Sequence, residues 1–423
     1  MTEGFGGETV DVAVVGGGPA GSAAAITLAR SGRSVAVLDR ATFPRDKCCG
    51  DGLTAAALRR LEALGFDPAS APSWAPVEEA TVVTPGSRAV RLRLPADGTL
   101  FAASVRRLEL DAALLDVARK AGAEVYEGHP VSGVGAAAGG AAVVLSVDDE
   151  PALRARYVIA ADGAWSPVRK ALGLSEAGYL GDWYAGRQYY RGVGPAARGL
   201  WVWFEPDMLP GYAWSFPLAG GVVNVGYGVV RVPGGPPGTL KGQRVDLLGR
   251  PRVAAVLGPD AEPAGPWKAW PIPAGIGAAT LSGLGGRVLF AGDAARACDP
   301  MTGEGIAQAL ETGEMAARAV LAAGPDRPGA AHERYRRQVR WGLAVDDSLS
   351  RFLSRVLARR RGADGSLALV DTAAWCRRNF ARWMFEDYPR AALVTPHRWR
   401  RRMFTSPGAF SSDGAHQAGS ARS

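Results

Sequence analysis

Residues 10–21 read VDVAVVGGGPAG; an alanine-rich run follows to Arg30, and residues 34–39 read SVAVLD. A short apolar run, a glycine turn, a small-residue helix and a second apolar run make a compact βαβ unit. Gly16 permits the tight turn, Gly18 lets the backbone approach a pyrophosphate, and Gly21 lets helix and strand pack closely. The helix then offers its first N–H groups and the positive end of its dipole to phosphate. Asp39 ends the second strand, 18 residues beyond Gly21, where a carboxylate can hold ribose hydroxyls. The unit predicts a dinucleotide site without separating FAD from NAD.

Working outward, 423 residues exceed one ordinary core and predict two or three domains. With 47% hydrophobic and 21% charged residues, the composition is that of a globular protein. The four cysteines, Cys48, Cys49, Cys298 and Cys376, form no CxxC pair, which argues against a disulfide scaffold or an iron–sulfur site. Four histidines without HExxH leave no metal site to expect. No apolar run reaches the roughly 18 residues of a membrane span, and the first ten residues lack a basic n-region and an apolar h-region. A reduced, cytoplasmic protein is the expectation.

The net charge of +8 is unevenly placed. Residues 351–403 hold 13 Arg, no Lys and four acids, a net +9, so the rest of the chain is −1. Trp375, Phe380, Trp383 and Trp399 are mixed into that segment. Such a mixture suits either a solvated helical face or peripheral contact with an anionic membrane. Nucleic acid is not an expected partner.

Periodicity predicts helices at 53–64, 107–121, 303–323 and 335–357, the last amphipathic. Strands are expected across 77–101, near Val125, at 141–147, at 157–161, and widely through 180–230. Residues 231–266, rich in Pro and Gly, read as an irregular excursion with one short helix. The buried-strand pattern returns at 286–294, and 406–423 reads as a disordered tail.

Two further stretches repeat the strand-then-acid pattern. Asp162-Gly163-Ala164-Trp165-Ser166-Pro167-Val168-Arg169 follows the strand YVIAA. Gly292-Asp293 follows RVLFA, and Pro300-Met301-Thr302-Gly303-Glu304-Gly305-Ile306 opens the next helix. Asp293 can accept hydrogen bonds from a ribityl chain, and the helix N-terminus can stabilise negative charge on a ring edge. GGGPAG, DGAWSPVR and GDAARACDPMTGEGIAQALETG resemble, in this order, the three FAD motifs of the class A flavoprotein monooxygenase fold. Phe43-Pro44-Arg45-Asp46-Lys47-Cys48-Cys49-Gly50-Asp51-Gly52-Leu53-Thr54 and Pro210-Gly211-Tyr212-Ala213-Trp214-Ser215-Phe216-Pro217 resemble the geranylgeranyl reductase family, including its menaquinone reductase branch. Cys48 departs from that pattern. The resemblance covers about residues 9–325.

The resemblance implies an α/β fold: a Rossmann-like FAD domain of the glutathione reductase type, an inserted mixed-sheet substrate domain, and C-terminal helices. The expected boundaries are 1–75, 102–175 and 282–325 for the FAD domain, 76–101 and 176–281 for the substrate domain, and 326–405 for the helices. It implies FAD contacts at Ala20, Asp39, Cys49, Gly50, Gly52, Arg107, Val125, Asp293, Gly305 and Ile306. Tyr212, Trp214, Phe216 and Pro217 would line the cavity for a hydrophobic or lipid substrate. The implied reaction saturates isolated C=C bonds of a polyprenyl chain with reduced FAD. Cys49 is the expected proton donor, or else a small side chain packed on the ring. No second GxGxxG follows a strand, so the electron donor is open, with NADPH or NADH as external candidates. A monooxygenase working through a C4a-hydroperoxide is the competing reading, because the fold is shared.

Overall fold

The computed structural model describes residues 9–147, 150–231, 246–399, 401 and 403–411. Its first sheet is parallel at the centre, in the order β9 (Glu124–Glu127), β2 (Val35–Asp39), β1 (Val10–Val15), β12 (Glu150–Ala160) and β20 (Val288–Phe290). β1 and β2 are near-continuous Val, Ala and Leu, as strands covered on both faces must be. β10 (Val131–Ala136) and β11 (Val143–Val147) extend it antiparallel along the first half of β12, and β19 (Ser282–Gly283) pairs with β20. Helix α1 (Pro19–Ala29) begins with Pro at its first position and buries nine of its eleven residues. It packs between α3 (Arg107–Lys120) and α6 (Ile306–Ala323).

The second sheet is mixed and runs β17 (Glu262–Pro263), β13 (Trp183–Arg191), β16 (Val222–Val230), β15 (Tyr212–Leu218), β14 (Leu200–Trp203), β5 (Glu79–Val83) and β6 (Ala89–Arg93), with β18 (Lys268–Ile272) also on β13. Within it β14 and β5 pair in parallel, and the other pairs are antiparallel. A small sheet pairs β3 (Gly52–Thr54) and β4 (Ala75–Pro76) with β8 (Ala102–Ser104), and α2 (Ala55–Ala63) follows β3 directly. Short helices α4 (Pro167–Ala171) and α5 (Pro251–Leu257) complete the two units. α5 is the short helix expected in 231–266; residues 232–245 of that excursion lie outside the described residues.

The C-terminal helices are α7 (Pro328–Trp341), α8 (Leu343–Leu357), α9 (Arg360–Val370) and α10 (Ala374–Met384). The expected single helix over 335–357 is therefore two. Its apolar period is real, but Gly342, a poor helix former, takes φ −105° and ψ −97° and breaks it. The helix expected from 303 starts at Ile306 because Gly303 stands at φ +69°. Glu304 instead caps the helix, its Oε1 accepting the N–H groups of Ile306 (3.0 Å) and Ala307 (3.2 Å). In 286–294 only Val288–Phe290 is strand, and a 3-10 turn at Gly292–Ala295 follows.

The tail departs from expectation too. Ala409–Ser411 forms β21, paired with β7 (Thr99–Leu100), and Ala409 is buried. Phe410 meets Trp74 edge to face at 5.7 Å, so apolar packing holds this stretch despite its turn-like composition. The remaining residues, 412–423, lie outside the described residues.

Candidate active site

The glycine loop sits where the sequence requires. Gly16 has φ +100°, and a Cβ there would fall 2.4 Å from the Ala161 carbonyl oxygen. Asp39 ends β2 with its carboxylate accepting from Gly17 N–H (2.7 Å) and Ala41 N–H (2.8 Å). Each oxygen keeps a second lone pair for a hydroxyl donor. Two guanidinium groups stand over the loop: a Cβ on Gly18 would be 3.5 Å from Arg45 Nη2 and 3.9 Å from Arg107 Nη2. Asp111, fully buried, orients both. It takes Arg107 Nε and Nη2 at 2.7 Å each, and Arg45 Nη1 at 2.7 Å. Arg45 was legible only as part of a family motif.

One cavity of about 980 Å³ joins this loop to the second sheet and to the C-terminal helices. Its wall includes Gly16, Gly18, Ala20, Asp39, Cys49, Gly50, Gly52, Arg107, Asp162, Gly292, Asp293, Gly305 and Ile306 of the expected cofactor residues, and Tyr212, Trp214 and Phe216 of the expected substrate residues. Three expected residues are not in the wall. Gly21 is buried in packing below the loop, Val125 lies on β9, whose neighbours His129 and Val131 reach the cavity instead, and Pro217 sits behind Phe216 on the alternate side of β15. The last is the ordinary period of a strand.

The loop 49–52 is pinned by the second sheet. Asp51, with φ +66° and no exposure, accepts Tyr189 Oη (2.7 Å) and Asn224 Nδ2 (2.8 Å) on Oδ2. Asn224 Nδ2 also donates to the Cys49 carbonyl (2.8 Å), and Asn224 Oδ1 accepts from Trp214 Nε1 (3.0 Å). Burial raises the Asp51 carboxyl to about 6 against these hydrogen bonds. Gly52 has no side chain because Phe216 lies against it, 3.0 Å from where a Cβ would be. Tyr189 and Asn224 carry no sequence signal of their own; the pairing of β13 with β16 sets them opposite each other, and both donate to Asp51.

Burial pushes the Cys49 thiol up to about 11 and the neighbouring Cys48 thiol up to about 12. A thiol that weak is a poor acid at neutral pH. Both are expected to resist iodoacetamide in the native protein at neutral pH while unfolded chain is labelled at once. Peptide mass spectrometry reads this directly, and rapid native labelling of Cys49 would show a thiolate that the geometry does not support.

A better acid stands opposite in the sequence. Glu304, half-buried in the cavity wall, spends Oε1 on the α6 cap and takes no donor on Oε2 among the described residues. Burial first, and the Glu386 carboxylate second, push its carboxyl up to about 8. Glu386 is buried and is raised as well by burial. It accepts Thr54 Oγ1 (3.0 Å), Gln308 Nε2 (2.8 Å) and Arg390 Nη2 (3.1 Å).

Arg390, 3% exposed, brings the C-terminal segment into the site. Its Nε lies 3.2 Å from Asp299 Oδ2, and Nη2 donates to Thr302 Oγ1 at 3.2 Å. Asp299 also accepts Ser350 Oγ (2.6 Å) from α8, and the N–H groups of Met301 and Thr302. Burial would raise this carboxyl, but Arg390 and the hydrogen bonds outweigh it and hold it below the usual range. Arg390→Met leaves two buried carboxylates short of their cation and is expected to cost roughly 3–5 kcal/mol in a denaturant melt. An unchanged midpoint would show that the guanidinium is dispensable to the fold.

Comparison with known proteins agrees with the geometry. Residues 9–185 match the FAD binding domain family. The menaquinone reductase of Mycolicibacterium smegmatis is 33% identical over 345 residues, covering 74% of this chain and 77% of that protein. Digeranylgeranylglycerophospholipid reductase 1 of Methanopyrus kandleri is 30% identical over 357 residues, covering 78% of this chain and 85% of that protein. The chain belongs to the geranylgeranyl reductase family of FAD-dependent oxidoreductases. A crystal structure of a geranylgeranyl bacteriochlorophyll reductase-like protein from Thermoplasma acidophilum shares the fold, with a TM-score of 0.73 at 22% identity over 92% of this chain and 99% of that one.

The family's cofactor fits the residues present. The phosphate end has the α1 N-terminus with Arg45 and Arg107 above Gly18. Asp162 lines the cavity with Oδ1 buried and without a hydrogen-bond partner among the described residues. Asp293 is held by Lys47 (2.8 Å) through Oδ2 only, so its other oxygen can accept from a ribityl hydroxyl.

Proposed function

We propose that this chain is a reductase that saturates isolated C=C bonds of a polyprenyl substrate, a menaquinone or geranylgeranyl lipid. The carrying observation is the single cavity, which starts at the dinucleotide loops and continues between apolar walls. Val202, Phe204 and Phe216 line it from the second sheet, and Leu353, Phe380 and Met384 from the C-terminal helices. An aqueous metabolite has no use for so long an apolar wall.

Bound and reduced, FAD supplies the hydride equivalent for such a reaction. The chain's own residues do the rest. Arg45, Arg107 and the α1 N-terminus hold the pyrophosphate, and Asp39 the ribose. The N-terminus of α6 lies toward the cavity at Gly305 and Ile306, where it can stabilise negative charge. Tyr212, Trp214 and Phe216 exclude water from the alkene. Glu304 keeps a proton on Oε2 at neutral pH and delivers it to the second alkene carbon, a role the sequence reading had given to Cys49. NADPH or NADH is the reductant we propose to test first. The site of action we propose is the cytoplasmic side of the cell membrane, with the protein bound peripherally; among the described residues no helix is long and apolar enough to cross a membrane.

The test is anaerobic. Reduced, FAD-loaded protein is mixed with menaquinone or a geranylgeranyl lipid, and products are weighed by mass spectrometry. Products heavier by two hydrogens per bond support the reading. No product at full FAD occupancy, with oxygenated product once air is admitted, overturns it in favour of a monooxygenase.

A further inference from the structure

Helices α8 and α10 bury few of their residues. Of its fifteen residues α8 buries only Asp347 and Ser350, and α10 buries only Ala381 of eleven. One part of this apolar surface, from Leu353 and Val356 to Phe380 and Trp383, walls the far end of the cavity. The other part faces solvent: Phe352 is 58% exposed, and Leu369 and Trp375 are each 69% exposed. Seven of the nine exposed large apolar side chains among the described residues lie between 341 and 399, three of them on α8, α9 and α10, so the exposure is concentrated in the C-terminal segment.

The charge on the same helices is free. Arg355, Arg359, Arg361 and Arg378 are exposed and take no acidic partner among the described residues. Phe352 and Arg355, and again Trp375 and Arg378, stand three apart in a helix, which puts each aromatic residue and its arginine on one side of that helix. A solvated helical face needs the arginines but gains nothing from exposed Trp and Phe. An interface of apolar groups ringed by cations matches the boundary of an anionic bilayer.

We propose that α8, α9 and α10 dock the protein on an anionic membrane. Phe352, Leu369 and Trp375 insert at headgroup depth, and the four unpaired arginines sit on lipid phosphates. The cavity end between these helices then receives a prenyl chain directly from the bilayer. The docking stands on the surface alone; what is passed through it rests on the reductase reading above.

The test is flotation of FAD-loaded full-length protein with vesicles of phosphatidylglycerol and phosphatidylcholine, or of phosphatidylcholine alone. The protein is expected to float with the anionic vesicles only, and to be released by salt. R355Q/R378Q is expected to weaken partition by about thirtyfold, and F352S/W375S to abolish flotation. Both variants should reduce a short prenyl alcohol in detergent at the wild-type rate and lose activity on substrate held in vesicles. Wild-type protein left unfloated by anionic vesicles overturns the proposal, as does undiminished flotation of both variants. Equally tight binding to duplex DNA also overturns it, because the surface would then be a general polyanion site. Flotation without any prenyl reduction leaves the docking standing and removes the reductase reading.

Discussion

Glu304→Gln is expected to slow prenyl reduction by about a hundredfold or more while FAD content stays at the wild-type level. Glutamine keeps the Oε1 acceptor that caps Ile306 and Ala307, so the helix start survives and only the proton is lost. The pH profile separates this role from a structural one. Burial and the Glu386 charge push the Glu304 carboxyl up to about 8, so the acid is protonated below that pH and loses its proton above it. Wild-type single-turnover rates should therefore be flat up to about pH 8 and then fall about tenfold per unit. The glutamine variant should lack that limb. Glu386→Gln removes the neighbouring negative charge, lowers the Glu304 pKa and shifts the limb to lower pH. A Glu304→Gln enzyme that turns over at the wild-type rate would assign the proton to water or to Cys49.

Gly21→Ala is expected to lose FAD and to destabilise the protein by at least about 3 kcal/mol. A Cβ at position 21 would lie 1.8 Å from the Gly16 carbonyl oxygen, a backbone atom of the same loop. α1 cannot retreat, because α6 presses on its other side: a Cβ on Gly313 would stand 2.1 Å from the Ala20 carbonyl oxygen. In a thermal melt this corresponds to a fall of about 3 °C or more, with the flavin absorbance of the purified protein reduced in parallel. Gly329→Ala, near the start of α7 with nothing within 4 Å of its added Cβ, is the control and should melt at or slightly above wild type. Full FAD occupancy and an unshifted melt for Gly21→Ala would mean that the loop can rearrange.

The fold was legible where local chemistry is sufficient. The run from Val10 to Gly21, with Asp39 behind it, specifies strand, turn and helix through residues that are neighbours in sequence. The later stretches around Asp162 and Asp293 repeat that logic, and their order carried the family. The same local reading misplaced the start of α6, because the cap on Ile306 comes from a Glu304 side chain rather than from helical backbone. It joined α7 and α8, because an apolar period does not show that Gly342 has left the helical region. It set Ala409–Ser411 adrift, because the partners that hold it, Trp74 and the strand at Thr99–Leu100, are over 300 residues away.

By itself the sequence determined the dinucleotide loop, the three-motif flavoprotein plan and the uneven charge, since each is written in adjacent residues whose backbone demands are local. Cys49 and Glu304 both line the cavity, and it took the tertiary structure to set how acidic each one is. Cys49 was the distinctive letter in its motif, yet burial makes its thiol weak, while burial first, and then Glu386, a residue 82 positions away in the chain, raise the Glu304 carboxyl. Arg390, Tyr189 and Asn224 entered the site in the same way. Their roles rest on burial and on partners from other strands and helices, and neither burial nor partnership exists until the chain has folded.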